Sequence, residues 1–197
     1  MARFTSIAAP ATALYKEKGS KFIAYAFPVK NITEINRRLE ELRCEHPKAR
    51  HHCYAYKLGA SNPILKANDD GEPSNSAGMP ILNQIRSAEL TNILIVVVRY
   101  FGGTKLGITG LIQAYKTAAA DSIKNAILAE DFEKEQLSIK TTYQKLPELQ
   151  NFLKKRNVTI LSQEFNETCI LHATVAAEDA SNVKNDLLQL PFIQLLP

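Results

Sequence analysis

The stretch 92-NILIVVVRY-100 constrains the fold more than any other part of the chain. Its core, 93-ILIVVV-98, has no polar face, so it reads as a strand buried on both sides at the centre of a sheet. It runs into the glycine-rich 101-FGGTKLGITG-110 and then into a helical pattern over about 110–128, where 118-AAA-120 permits close packing. Strand, glycine turn, helix is an arrangement in which backbone N–H groups and a helix amino end face an anion.

The elements before this unit fit one sheet with helices packed on it. Two strands over 12–19 and 21–29 lead to a helix whose start is written in 31-NITE-34, with Asn31 as cap and Glu34 three residues on. Ile35, Leu39 and Leu42 share its inner face, and Pro47 follows its end. A strand over 51–59, a polar loop over 60–78 and a short helix over 80–90, with Pro80 in its first turn, complete the set. The expected class is α+β, the first domain (1–131) being an α/β sandwich.

The last third has its own rhythm. A strand over 136–143, a helix over 146–157 with Leu149, Phe152 and Leu153 on one face, strands over 158–165 and 168–176, a helix capped by Asp179 or Ser181, and a strand over 192–196 follow in order. This βαββαβ order is the ferredoxin-like plan and predicts a second domain over 134–197. The charged run 130-EDFEKE-135 reads as an exposed connector between the two.

Composition limits the function classes. With 45% hydrophobic and 22% charged residues, the 197-residue chain is not of a disordered type. The longest apolar run is far short of the roughly 20 residues that span a bilayer, and the amino terminus lacks a signal-like pattern, so a soluble, cytoplasmic protein without a membrane partner is expected. Cys44, Cys53 and Cys169 are widely spaced and read as buried or half-buried free thiols. Residues 1–130 carry 17 Lys and Arg against 11 Asp and Glu, whereas 131–197 carry 7 against 9. A polyanionic partner would therefore meet the first part.

Three constellations carry potential chemistry. Gly102 and Gly107 have the spacing of a P-loop, but Ile108 stands where its lysine belongs, so nucleotide hydrolysis of that type is not expected. An anion site built on Arg99, Tyr100, Phe101, Gly102, Gly103, Lys105 and Gly107 and a plain tight turn are both consistent with the loop. The second constellation, 69-DDGEPSNSAGMP-80, lacks the alternating acids of a calcium loop. It reads either as turn-forming residues or as a cleft lined by Asp69, Asp70, Glu72 and Ser74. The third is 50-RHHCYAY-56, where strand alternation sends His51 and His52 to opposite faces and so disfavours a shared zinc ion. No metal and no cofactor is expected.

Taken together, 51-HHCYAYKLG-59, 68-NDDGEPSNSAGMPIL-82 and 95-IVVVRYFGGTKLGITGLIQAY-115 resemble the IMPACT family in its two-domain bacterial form. Asp69 to Ser74 match its acidic loop, and Arg99 to Gly103 with Lys105, Leu106 and Gly107 match the signature after the strand. The chain departs from that pattern at Asn75, Ile108 and Thr109. Asn tolerates the left-handed backbone region that a family glycine occupies, whereas β-branched Thr109 does not. The resemblance implies a first domain with the fold of a small-subunit ribosomal protein's second domain and a second domain similar to the last domain of elongation factor G. It also implies a role in regulating translation through RNA, the ribosome or a protein partner of the translation machinery, and it brings no catalytic residue with it.

The resulting expectation is a non-enzymatic, RNA-binding or ribosome-associated protein. In it Arg99 and Lys105 meet phosphate, backbone N–H groups of the glycine loop assist, and Tyr100 or Phe101 stacks a base. Its rival is a small-molecule enzyme or phosphate-ligand-binding protein using the acidic loop and the glycine loop, with Asp69, Asp70 or Glu72 as base or cation holder and the glycine loop as phosphate cradle, in a cleft that His51, His52 and Ser74 also line. A third reading is a protein-interaction module using the second domain's sheet.

Overall fold

The computed structural model describes residues 3–196, which divide into two compact units, one spanning Phe4–Asp131 and the other running from Phe132 onward, with Arg3 grouped in the latter. The elements up to the junction are β1 (Arg3–Ile7), β2 (Ala11–Glu17), β3 (Ser20–Pro28), α1 (Ile32–Glu45), β4 (His51–Leu58), β5 (Ile64–Asn68), α2 (Gly78–Ser87), β6 (Ile93–Tyr100), α3 (Gly107–Lys124) and β7 (Leu128–Phe132). Five strands form one sheet in the order β2-β3-β6-β4-β5, with every neighbour antiparallel.

β6 lies at its centre, as its apolar run predicts, and Ile93 through Val98 are completely buried. Alternation along this strand serves two cores. Ile93, Ile95 and Val97 pack with Ile81 and Ile85 of α2 and Tyr115 and Ala118 of α3, while Leu94, Val96 and Val98 pack with Ile35, Leu39 and Leu42 of α1. The unit is a three-layer sandwich, with one helix on one face and two on the other. The α1 cap forms as the sequence predicts: Glu34 N donates to Asn31 Oδ1 at 2.9 Å. In return Lys30 N donates to Glu34 Oε2 at 2.8 Å.

Several boundaries differ from the sequence expectation. The polar loop contains an edge strand, β5, paired with β4. β1 pairs with β7 in a separate two-stranded sheet, so part of the charged run expected as a connector is strand. α3 begins at Gly107 rather than at 110 and ends at Lys124. Of the thiols, Cys53 and Cys169 are buried but Cys44 is exposed, against the expectation that all three are at least half-buried.

The second unit holds β8 (Lys134–Thr141), a 3₁₀ turn at Tyr143–Lys145, α4 (Leu146–Lys155), β9 (Thr159–Phe165), β10 (Cys169–Ala176), α5 (Ala177–Leu188) and β11 (Ile193–Leu196). Its sheet order is β11-β8-β10-β9, all antiparallel. Leu149 and Leu153 of α4 and Val183 and Leu187 of α5 pack on Ile139, Leu171 and Val175, so both helices cover one face. α5 starts at Ala177 with no side-chain cap; Asp179 and Ser181 lie inside it, where Asp179 favours the helix as an acid in the first turn. No helix among the described residues is long and apolar enough to cross a membrane.

Replacing Asn31 with Ala removes the acceptor for Glu34 N, and the expected loss is about 1 kcal/mol of unfolding free energy, read as a lower urea midpoint with an unchanged slope. An unchanged midpoint contradicts the cap's contribution.

Candidate functional site

The acidic loop, the glycine loop and the first residues of β4 meet at one end of the five-stranded sheet. Arg99 closes β6 on the face that carries Ile95 and Val97, and only 7% of its surface is exposed. Its Nη1 donates to Glu72 Oε1 at 2.6 Å, with the two side chains 8% and 4% exposed. The same oxygen accepts the Tyr115 hydroxyl at 2.8 Å. Cys53 Sγ lies 3.3 Å from that hydroxyl and 2.9 Å from the Asp69 carbonyl. Burial raises the pKa of both the Cys53 thiol and the Tyr115 hydroxyl, so both stay protonated at neutral pH. Cysteine reactivity follows the thiolate, and Cys53 is correspondingly inert.

The acids of the loop are engaged in holding backbone. Asp69 Oδ1 accepts Ala77 N and Gly78 N at 3.0 and 2.8 Å, which caps α2 from outside the helix, and its Oδ2 accepts Asn75 N at 2.9 Å. Asp70 Oδ2 accepts His52 N at 2.7 Å, while the Asp70 carbonyl lies 2.8 Å from His51 Nδ1. A carbonyl only accepts, so His51 carries its proton on Nδ1. His51 is half-buried and His52 is buried on the opposite face. Burial lowers the His52 pKa; a depressed histidine contributes stability above its unfolded pKa of about 6.5 and loses it as pH falls. Ser74 is exposed.

Positive φ falls where the local sequence permits it. Asn75 has φ +60°, so it holds the turn that the family pattern assigns to glycine. Ile108 and Thr109 lie in the first turn of α3, where the backbone is helical, so the branched side chain at 109 meets no left-handed requirement.

The glycine loop divides into a packed and an open part. A Cβ at Gly102 would fall 1.9 Å from the carbonyl carbon of Gly19, and Gly102 N donates to Ser20 Oγ at 3.1 Å. Gly102 is thus the point where the loop rests on the β2–β3 turn. That turn is Lys18-Gly19, both with positive φ, the type I′ hairpin geometry. Gly103 (φ +89°) and Gly107 (φ +72°) face open space.

The residues expected to form an anion site do not share one environment. Arg99 does not face solvent; it belongs to the buried pair. Tyr100 points to the other side of the sheet, where its hydroxyl lies 2.9 Å from His46 Nδ1 and the Tyr25 hydroxyl lies 2.7 Å from His46 Nε2. Phe101 is 58% exposed, with the Arg99 guanidinium carbon 5.6 Å from its ring centroid. Lys105 is exposed.

Sequence reading missed Tyr115, His46, Lys18, Lys21 and Arg50. Lys21 sits opposite Tyr100 and Lys16 opposite Lys21 in the sheet register, and Arg50 immediately precedes His51, the partner of Arg99. The Lys-Gly pair between two strands is the signal that places a lysine at the same end.

Removing one member of a buried ion pair strands the other. Glu72→Met alone is expected to cost about 3–5 kcal/mol, and Glu72→Met combined with Arg99→Met to cost much less than the two single changes summed. Urea unfolding of the four proteins measures this, and additive costs contradict the pairing.

The Impact N-terminal domain family matches residues 18–123, a span that includes the whole acidic loop, the glycine loop, Tyr115 and His46. The IMPACT family member YvyE of Bacillus subtilis is 39% identical over 111 residues, 56% of this chain and about half (51%) of its own length. An IMPACT family member of Haemophilus influenzae is 35% identical over 75% of this chain and 73% of its own. YigZ of Escherichia coli is 30% identical over 86% and 84%. A crystal structure of a hypothetical protein, 28% identical, matches with a TM-score of 0.76 over 100% of this chain and 97% of that one. A match over more than half of this chain, together with relatives aligned over most of both lengths, means that the chain belongs to the IMPACT family.

Proposed function

We propose that this protein takes part in regulating translation and does so by contacting RNA or the ribosome through the basic end of its first unit. The observation that carries this reading is a set of exposed cations, Lys16, Lys18, Lys21, Lys48, Arg50 and Lys105, that make no ion pair among the described residues. They come from three segments, the β2–β3 hairpin, the α1–β4 connection and the glycine loop, which the sheet register and the Gly19–Gly102 contact bring to one end. Several cations elsewhere are neutralised. Arg37 and Arg38 pair with Glu41, and in the second unit Lys145, Arg156 and Lys184 pair with Glu148, Asp186 and Glu135. Unpaired cations held close together meet a polyanion without first breaking internal pairs, and they release its counterions on binding.

The rival reading, small-molecule chemistry at the acidic loop, draws less support. Asp69, Asp70 and Glu72 all accept hydrogen bonds from this chain's own backbone, arginine or tyrosine, and burial keeps the Cys53 thiol protonated.

The test is co-sedimentation with ribosomal particles and RNA retardation across a salt series. Binding is expected to weaken with salt, and Lys18→Ala, Lys21→Ala, Arg50→Ala and Lys105→Ala each to lower the salt slope by about 0.7–0.9 for every phosphate left without its cation. Lys154→Ala with Lys155→Ala serves as the control and leaves the slope unchanged. If the four rim changes leave both affinity and slope as they were in folded protein, the basic end is not the contact.

A further inference from the structure

Within the basic end, the most exposed aromatic side chain among the described residues needs its own account. Phe101 is 58% exposed and Ile108, at the start of α3, is 59% exposed. Burying a phenylalanine is worth about 1.5–3 kcal/mol, and the fold forgoes most of that here. The other two aromatics exposed to a similar degree, Tyr143 and Phe165, stack on each other with centroids 6.2 Å apart. Phe101 instead has the buried Arg99 guanidinium 5.6 Å from its centroid. That contact orients the ring from one side, a cation–π arrangement, and leaves the rest of the ring to solvent. Next to it, Gly103 presents open space where a side chain would otherwise stand, and Lys105 follows two residues later. Through Gly102, Phe101 also adjoins the Lys18-Gly19 turn.

A duplex offers such a surface phosphates and sugar hydroxyls but no base face, because its bases are stacked inside. Lysines alone suffice for a duplex, and an exposed ring among them adds nothing. An unpaired base, in contrast, stacks on an aromatic ring while neighbouring lysines hold its flanking phosphates. Resting on the reading of the basic end as an RNA contact, we infer that the RNA recognised there is single-stranded, with Phe101 as the platform for one unpaired base and Lys18 and Lys105 on the adjacent phosphates.

The chain contains no tryptophan, which makes a sharp test available. A labelled twelve-residue uridine oligomer and an RNA duplex of the same length are titrated by fluorescence anisotropy into the full-length protein and its variants at one fixed salt concentration. The single strand is expected to bind at least tenfold more tightly than the duplex. Phe101→Ala weakens the single strand about tenfold, the equivalent of removing one base–ring stack, and leaves duplex binding unchanged. Phe101→Trp retains affinity, and its fluorescence, the only indole signal in the protein, is quenched by the oligomer and not by the duplex. Thermal melting of each variant shows that it is folded, and the tryptophan variant provides a reading that does not depend on weakened binding. Equal affinity for the two RNAs, or a folded Phe101→Ala that binds the oligomer like the parent, overturns the inference while the basic end stands as an RNA contact. Failure of both RNAs to bind overturns the inference and the reading beneath it together.

Discussion

The buried carboxylate of Glu72 organises this end of the first unit. It receives the Arg99 guanidinium from the central strand and the Tyr115 hydroxyl from α3, so that one residue of the acidic loop ties the sheet to a helix. An isolated charge at 4% exposure costs several kcal/mol, and only a paired, hydrogen-bonded one persists there. Around it Asp69 holds the amino end of α2 and Asp70 holds the start of β4. The loop that looks most like an active site in sequence is, in these bonds, a strap across the end of the sandwich.

That strap decides what the glycine loop can offer. With Arg99 held inward, the positive charge facing solvent comes from Lys105 and from residues on other segments. Their convergence depends on a close approach of two backbones: Gly102 rests on the Lys18-Gly19 turn, a contact that no residue with a Cβ at 102 permits. The hairpin lysines and the glycine loop therefore form one surface, and Phe101 projects from that surface with its ring oriented by the arginine beneath.

Much of the fold was legible because its signals are local. The unbroken apolar run announced β6, 31-NITE-34 announced the α1 cap, and the alternation of periods in the last third announced the order of strands and helices. β5 escaped because 64-ILKAN-68 is a short edge strand with Ile64 57% and Leu65 38% exposed, which leaves no alternation to read. β7 escaped because its 128-LAEDF-132 carries two acids on a two-stranded sheet, where burial is slight. The site was harder, since the partner of Arg99 lies 27 positions away and only the tertiary fold brings it near. A signal was nevertheless present: alternation along 93-ILIVVVRY-100 puts Arg99 on the face of Ile95 and Val97 and Tyr100 on the other. An arginine continuing a buried face requires an acid, and the acidic loop supplies one.

A ligand that meets the outer basic rim leaves the buried Arg99–Glu72 pair intact, and this distinguishes the rim from the acidic cleft. Amide and arginine side-chain N–H spectra of isotopically labelled protein, followed during titration with the uridine oligomer, observe both places at once. Binding at the rim produces shifts at residues 18–21, 48–50 and 101–107, and reaches Arg99 Nε–Hε only through the neighbouring Phe101 ring, with the amides of the 69–74 loop unmoved. Shifts confined to Arg99 Nε–Hε and the 69–74 loop, with the rim unchanged, would contradict this and place the ligand in the acidic cleft instead.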